Sequence, residues 1–285
     1  MKILISVISY NEEANLEATL RDLLDHNFGY DVVVIDNGSN DRSREICKRL
    51  GVHVIRHCVN TGSSVSTLLS YFTYAWAVSY DVLCQFDADG QHCAAELPKI
   101  IAPLRRGEAD CVIGSRFIEK AGFQSTVVRR IGIRLFSRLF TGITGRRVTD
   151  ITSGFRAFGP QAIEFFGHTY RDPIYDSINQ FLLVAHFAGL RIAEVPVTMR
   201  PREFGRSEFD VVKAIAFPIK GIMTIIACLL QRRRIRAMRN AGVISRAAAE
   251  PAPRPELKDK DREAPAQSKD HASYGHGTTQ SFLLS

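Results

Sequence analysis

The chain has 285 residues, and 45% of them are hydrophobic. This length and composition are enough to bury one full core, or a core plus a small appendage, but not several large domains. Its formal charge of +7 is local: residues 129–147 contain six arginines and residues 232–239 contain five, with no acid in either segment. Such clusters bind phosphates or anionic lipid head groups, and no nucleic-acid-binding module is visible. The six cysteines form no C-x-x-C pair, which predicts reduced thiols without a disulfide or a zinc site.

Predicted strands and helices alternate over the first 115 residues. The N-terminal apolar run is followed at once by Asn11-Glu12-Glu13, which is typical of a first strand rather than a signal peptide. The predicted strands span residues 3–9, 32–36, 53–56, 82–87 and 111–115. The predicted helices span residues 12–25, 41–50, 63–79 and 94–106. This order predicts an α/β fold with a mostly parallel sheet that carries helices on both faces.

Two later segments have the character of helices at an anionic surface. In residues 127–143 an arginine recurs every four positions and apolar side chains occupy another face, although an ordinary surface helix has the same pattern. Residues 209–230 are strongly apolar but are interrupted by charged residues and Pro218, which predicts a helix that lies on a membrane rather than crossing it. The five arginines that follow favour this interpretation. A core or oligomer-interface helix is the alternative.

The end of the chain is predicted to be disordered. Residues 246–285 contain almost no large apolar residue before Phe282, so burial cannot offset the entropy cost of ordering them. The predicted organisation is a globular domain over residues 1–207, an amphipathic membrane-associated helix with its basic cluster over 208–240, and the tail over 246–285.

Two carboxylates, Asp87 and Asp89, stand one residue apart directly after the predicted fourth strand. The carboxyl edge of the sheet is where α/β proteins bind their ligands. Carboxylate oxygens there suit Mg²⁺ or Mn²⁺, which bridge one or two carboxylates to substrate phosphates. A lone Asp-x-Asp is more often a solvated turn, so the interpretation depends on the rest of the chain.

Three further patches match the needs of a site for a sugar nucleotide. Asp36 ends the second strand before a glycine turn, where it is placed to accept hydrogen bonds from a nucleobase or ribose. Residues 150–156 combine an acid, hydroxyls, a glycine and an arginine in one loop. A predicted buried strand over residues 189–199 ends in a basic loop that contains Arg200, Arg202 and Arg206. Cations near a diphosphate would stabilise charge on a departing leaving group.

Taken in order, these motifs resemble those of family-2 glycosyltransferases. The motifs are Ser9-Tyr10-Asn11-Glu12, Asp36-Asn37-Gly38-Ser39, Asp87-Ala88-Asp89-Gly90-Gln91-His92, Gly114-Ser115-Arg116-Phe117, Asp150 with Thr152-Ser153-Gly154-Phe155-Arg156, and Glu194-Val195-Pro196-Val197 with Gly205-Arg206-Ser207. The likeness covers about residues 1–210 and is strongest to the dolichol-phosphate mannose synthase and polyprenyl-phosphate glycosyltransferase branch.

The resemblance implies an inverting transferase of GT-A fold that takes a sugar from a nucleotide diphosphate donor. It assigns the metal, Mg²⁺ or Mn²⁺, to Asp87, Asp89 and Gln91. The nucleotide would be bound by Ser9, Tyr10, Glu12, Asp36 and Asp87. The acceptor phosphate would meet Arg116 and Arg130, and the donor diphosphate Arg200 or Arg206. The candidate catalytic residues are Asp89, Arg156 and Asp150.

The acceptor class depends on whether the site contains a general base. Relatives commonly have an acid where Asn179 and Gln180 stand in this chain. A sugar hydroxyl requires a base within hydrogen-bond reach, whereas a lipid phosphate is already ionised and requires cations instead. The arginines therefore favour a phosphate acceptor, with Asp150, Asp172 and Asp176 left as candidate bases for a hydroxyl.

The expected function is transfer of a hexose from a GDP- or UDP-sugar to a polyprenyl phosphate, in cell-envelope biosynthesis. The enzyme would be cytoplasmic and peripheral on the inner face of the membrane. Its partners would be the nucleotide sugar, the polyprenyl phosphate lipid and the anionic membrane surface, with a membrane-protein partner or a homo-oligomer left open and no nucleic acid. The rivals are transfer to a sugar hydroxyl in polysaccharide or lipopolysaccharide synthesis, and an inactive sugar-nucleotide-binding subunit.

Overall fold

A seven-stranded sheet forms the centre of the protein, in the order β3-β2-β1-β4-β6-β5-β7. The computed structural model describes residues 1–60, 65–119, 127–170, 177–202, 204 and 211–248, all within one compact unit. The strands are β1 (Ile3–Ser9), β2 (Asp31–Asp36), β3 (His53–Arg56), β4 (Val82–Asp87), β5 (Cys111–Ser115), β6 (Arg156–Phe158) and β7 (Ile192–Pro196). The helices are α1 (Glu13–Asp25), α2 (Ser43–Arg49), α3 (Val65–Ala77), α4 (Leu97–Arg105), α5 (Val127–Thr144), α6 (Pro160–Glu164), α7 (Ser177–Phe187) and α8 (Val211–Ala248).

The predicted α/β class and the mostly parallel sheet are confirmed. Strands β1, β3, β4 and β5 have the predicted bounds, and β2 begins one residue early. The short β6, which the sequence analysis missed, runs antiparallel to both β4 and β5. The last strand, β7, is shorter than the predicted span and only half-buried, because it lies at the edge of the sheet.

The two faces of the sheet support separate cores. Along β1, Leu4 belongs to one apolar cluster and its neighbours Ile3 and Ile5 belong to the other, as the period of two in a strand requires. The first cluster includes side chains of α3, α5, α7 and α8, and the second includes side chains of α1, α2 and α4. Helices therefore cover both faces and leave the strand ends to form the site.

The helix predicted over residues 127–143 is α5. Its buried residues Ile133, Phe136 and Phe140 follow helical spacing, while Arg134 and Arg138 are exposed on the other side. Leu139, placed on the apolar face by sequence pattern, is 39% exposed. The helix is thus amphipathic, with a basic side open to solvent.

Helix α8 is longer than the segment predicted over residues 208–240. It runs from Val211 to Ala248 and so includes residues 246–248 of the predicted tail, while residues 249–285 lie outside the described residues. Gly221 packs against the ring of Phe136, so α8 meets α5 at this point. No helix among the described residues is long and apolar enough to cross a bilayer.

The cysteines are all unpaired, and five of the six are buried. Cys58 is the exposed one.

Candidate active site

The ends of β1, β2 and β4 bring the predicted nucleotide and metal residues to one edge of the sheet. Ser9 is in register with Asp36 of β2, and Ile8 with Asp87 of β4. These strands are parallel, so their carboxyl ends open on the same crevice. Side chains from distant parts of the sequence therefore meet there.

Asp87 and Asp89 stand side by side in this crevice. Burial raises the pKa of Asp87, although 38% of its side chain stays exposed toward the opening. Burial also raises the pKa of Asp89, and the charge of Asp87 raises it further. A divalent cation between the two would relieve their repulsion, so the donor set fits a hard metal ion.

Neighbouring residues fix the position of Asp87. A side chain at Gly154 would collide with the Asp87 carboxylate, so the backbone of the 150–156 loop passes directly against it. The buried His92 ring accepts a hydrogen bond at Nδ1 from the Asp87 backbone N–H, at 3.0 Å, and stacks on Phe155. Burial lowers the pKa of His92 to about 4, so the ring is neutral at pH 7 and its Nε2–H lies 3.6 Å from Asp87 Oδ2.

Among the described residues, Arg202 is the arginine that forms an ion pair with Asp89. Its Nη1 lies 4.0 Å from Asp89 Oδ2, and its Nη2 contacts Glu12 Oε1. Arg200 donates its backbone N–H to the Gln91 carbonyl, while its half-exposed side chain faces Asp22 at 3.6 Å. Arg206 lies outside the described residues. Of the predicted diphosphate contacts, Arg200 therefore lies beside Gln91 through its backbone, while its side chain is directed to Asp22.

Arg116 and Asp150 form a buried ion pair. Arg116 Nε and Nη2 donate to Asp150 Oδ2 and Oδ1 at 2.7 and 2.9 Å, with 5% and 0% of the two side chains exposed. Glu194 of β7 accepts hydrogen bonds from the backbone N–H groups of Thr149 and Asp150 at 2.9 and 2.7 Å. The pair and Glu194 together fix the start of the 150–156 loop. Both carboxylate oxygens of Asp150 are consequently occupied by the Arg116 guanidinium.

Arg156 lies beneath the crevice rather than in it. Its guanidinium is 1% exposed and donates to the backbone carbonyls of Ser153 and Ile151 at 2.8 and 3.1 Å. The group also lies over the ring of Phe181. Burial lowers its pKa to about 10, so it keeps its positive charge at pH 7. Arg156 therefore supports the loop that contacts Asp87.

The predicted nucleotide end of the crevice is built from two connected turns. Asp36 is 1% exposed, and its Oδ1 accepts a hydrogen bond from the Ser39 backbone at 2.9 Å. Arg44 Nε lies 3.9 Å from Asp36 Oδ2. Asn11, with a positive φ of 51°, donates its backbone N–H to Ser39 Oγ, which joins the β1 turn to the β2 turn. Tyr10 and Glu12 are half-buried beside these turns.

A basic cavity of about 430 Å³ lies between α5 and the segment that precedes Asp150. Its lining residues are Phe117, Arg130, Arg134, Ser137, Arg138, Thr141, Arg147, Val148 and Thr149. Phe117 and Thr149 are the neighbours in sequence of Arg116 and Asp150, so the cavity adjoins the ion pair. Arg130, one of the predicted acceptor contacts, thus lines this cavity. Arg116, the other predicted contact, does not line it.

Comparison with known proteins identifies the fold and the family. The protein family described as Glycosyl transferase family 2 matches this chain over residues 4–166, which is more than half of its length. The chain belongs to glycosyl transferase family 2. The matched region contains both Asp87 and Asp89, the Arg116–Asp150 pair and the whole of α5, and it ends before Glu194, Arg202 and α8.

Relatives of this chain include proteins whose names contain a polyprenyl phosphate. The chain is 31% identical over 207 residues to an uncharacterized protein of Methanocaldococcus jannaschii, covering 72% of this chain and 84% of that one. It is 31% identical to the undecaprenyl-phosphate mannosyltransferase of Micrococcus luteus, covering 74% and 88%. It is 28% identical to the UDP-N-acetylglucosamine–dolichyl-phosphate N-acetylglucosaminyltransferase of Methanococcus voltae, covering 68% and 84%.

A solved structure supports the fold. Glucosyl-3-phosphoglycerate synthase from Mycobacterium tuberculosis, in complex with Mn²⁺, UDP-glucose and phosphoglyceric acid, superposes with a TM-score of 0.59. The two chains are 20% identical, and the match covers 81% of this chain and 79% of that one. The predicted GT-A architecture is therefore confirmed.

Three residues that shape this family-2 site were not selected from the sequence. Glu194 and His92 lay inside quoted motifs but had been given no role, since a buried carboxylate or imidazole that holds a loop has no signature of its own. Arg202 had been noted only as one of several cations in a basic loop. Proximity to Asp89 distinguishes it, and that contact joins residues 113 positions apart in sequence.

Proposed function

We propose that this chain is an inverting hexosyltransferase that moves a sugar from a GDP- or UDP-sugar to a polyprenyl phosphate, with a divalent cation at Asp87 and Asp89. The observation that carries this proposal is the acceptor side of the site. There, Asp150 is fully buried in an ion pair with Arg116, and the adjoining cavity is lined by four arginines. An ionised phosphate needs cations and no general base, so this arrangement suits a phosphate acceptor better than a hydroxyl.

The names of the relatives support the same acceptor class. The Micrococcus luteus and Methanococcus voltae proteins are named for undecaprenyl phosphate and dolichyl phosphate, and a relative in Mycolicibacterium smegmatis is named polyprenol monophosphomannose synthase. These names differ in the sugar, and only the Methanococcus voltae name includes a nucleotide, so they do not fix the donor. The Mn²⁺ and UDP-glucose in the structural neighbour are consistent with a metal-bound nucleotide sugar in this fold.

On the donor side, Asp87 and Asp89 would hold the metal with the Gln91 side chain nearby, and water and the donor diphosphate would complete its coordination. The bound metal would supply charge neutralisation for the departing diphosphate. Arg202, beside Asp89, would contact the diphosphate. Arg200 and Arg206 stay predicted diphosphate contacts. Ser9, Tyr10, Glu12 and Asp36 would hold the nucleoside.

On the acceptor side, Arg130 would bind the phosphate of the polyprenyl carrier. A phosphate oxygen attacks the anomeric carbon, a carbon–oxygen bond forms, and the bond from that carbon to the diphosphate breaks with its electron pair on the leaving nucleoside diphosphate. No proton has to be removed from the nucleophile. The Arg116–Asp150 pair and Arg156 act as positioning residues that hold the intervening loop against Asp87.

The exposed side of α8 would place the enzyme at the cytoplasmic membrane surface. Ile222, Met223, Ile226 and Leu230 are 50 to 81% exposed and recur with helical spacing. Exposed arginines at positions 232, 233, 234 and 236 follow them. An apolar ridge beside a cationic cluster suits peripheral binding to anionic lipid, at about 1 kcal/mol per cation near the surface.

The acceptor class is tested by incubating the full chain with labelled UDP- and GDP-sugars, Mg²⁺ or Mn²⁺, and either a short polyprenyl phosphate or a lipid-linked saccharide. We expect label on the polyprenyl phosphate. Arg130→Gln should raise KM for this acceptor about tenfold or more, since a charge-assisted contact contributes about 1.5–3 kcal/mol. The control is Arg146→Gln, an exposed arginine of the same region that does not line the cavity.

Two outcomes would contradict the proposal. Label on the saccharide alone would assign the chain to transfer onto a sugar hydroxyl, with a base outside the described residues. Nucleotide binding without product from any donor and acceptor would favour an inactive binding subunit.

A further inference from the structure

The basic cavity holds more positive charge than one acceptor phosphate neutralises. Its four arginines face a phosphate monoester that carries about −1.5 to −2 charges at pH 7. Among the described residues, no carboxylate forms a salt bridge with Arg130, Arg134, Arg138 or Arg147. Other arginines of the site do pair with a carboxylate of the protein. Within the described part of the chain, about two of these positive charges are thus left for a second anion.

The spacing of these arginines lowers the stability of α5, and a bound anion would offset that loss. Arg130, Arg134 and Arg138 follow one another at intervals of four residues on α5, an arrangement in which like charges destabilise a helix. They extend over about 12 Å of the helix axis. The cavity volume of about 430 Å³ is also in the range of pockets for whole organic ligands rather than for single ions. Length, volume and charge therefore all accommodate two anionic groups.

Exposed apolar side chains accompany the arginines. Leu135 and Leu139, at 52% and 39% exposure, each follow an arginine of the cavity along α5. On α8, Ile222 and Met223 come directly after Gly221, the residue that packs against Phe136 of α5. The contact between the two helices is therefore flanked by exposed apolar residues from both. A phosphate site bordered by apolar side chains matches the chemistry of a phospholipid, whose anionic head group adjoins acyl chains.

We propose that Arg138 and Arg147 bind the phosphate of an anionic phospholipid head group, beside the acceptor phosphate at Arg130 and Arg134. This inference rests on the proposed function for the role of Arg130. The subsite would seat the cavity against the bilayer, so that the carrier enters it from the membrane side. Binding would depend on particular arginines and not only on the total charge of the surface.

The test compares two neighbouring arginines. The full chain is sedimented, without donor or acceptor, with vesicles of phosphatidylcholine alone and of phosphatidylcholine containing phosphatidylglycerol. Arg147→Gln removes a cavity arginine, and Arg146→Gln removes an exposed arginine of equal charge that is not part of the cavity wall. We expect Arg147→Gln to weaken binding to the phosphatidylglycerol vesicles at least tenfold and Arg146→Gln by no more than about fivefold, the effect of one charge near a surface. Arg138→Gln should behave as Arg147→Gln does.

Equal losses for Arg146→Gln and Arg147→Gln would overturn the subsite and leave only general attraction to the surface. A second measurement uses a soluble short-chain phosphatidylglycerol and a soluble short-chain polyprenyl phosphate as competing ligands. Simultaneous binding is expected; mutual displacement would mean that the cavity is a single acceptor site. Neither measurement requires turnover, so a failure of the proposed function, seen as absent product, is distinguishable from a failure of this inference.

Discussion

Replacing Asp89 with alanine is expected to lower kcat for sugar transfer by at least about a thousandfold without unfolding the protein. Removal of one group that stabilises developing charge already costs about 10²–10³ in kcat, and this change removes one of the two carboxylates of the proposed metal site. The thermal midpoint should stay the same or rise, because burial and Asp87 both raise the pKa of Asp89 and so disfavour its ionised form in the folded protein.

The matched control is Asp25→Ala, which removes an exposed carboxylate at the C-terminal end of α1. Its kcat and its thermal midpoint should both stay close to those of the wild type. Transfer at a near-normal rate by Asp89→Ala would remove the metal assignment, and a large fall in its thermal midpoint would make the kinetic result uninterpretable as a metal effect.

Replacing Asp150 with alanine is expected to destabilise the fold by about 3–5 kcal/mol. The change leaves the Arg116 guanidinium 5% exposed and without its bidentate partner. It also removes the carboxylate that holds the start of the loop whose Gly154 lies against Asp87. For a domain of this size the loss corresponds to a fall in thermal midpoint of about 10 °C, measured by circular dichroism.

A double variant separates structural from chemical effects of this pair. Arg116→Met combined with Asp150→Leu removes both charges, and apolar replacements of a buried ion pair are often neutral or stabilising. We expect the double variant to recover most of the lost stability but to remain impaired in transfer, because the loop geometry depends on the polar contacts. Full recovery of kcat would show that the pair serves stability alone.

Most strands of the sheet could be predicted because short local sequence patterns mark where they begin and end. The apolar runs that became β1, β4 and β5 are bounded by turn residues, and each ends at a polar residue that opens the crevice. β6 could not be found in this way. It has three residues, begins at a buried arginine, and is a strand only because β4 and β5 supply partners on both sides.

The site was predictable in its residue types and less so in their partners. Asp87 and Asp89 were selected because their spacing places them at a strand end and because the other motifs of family-2 glycosyltransferases accompany them in order. Arg156 was selected as a candidate catalytic residue, yet the structure buries it beneath the loop, a position that depends on tertiary packing around Phe181. The Arg116–Asp150 pair joins residues 34 positions apart, and Glu194 joins Thr149 across 45 positions. Such long-range polar contacts leave no periodic pattern in a single sequence.

The most direct test of the central claim is a crystal structure of the full chain soaked with Mn²⁺ and, in separate crystals, UDP or GDP. The anomalous signal of manganese is expected between the carboxylates of Asp87 and Asp89, with the nucleotide diphosphate as a further ligand. A manganese ion elsewhere in the crevice, or a bound nucleotide with no ion at this pair, would contradict the account.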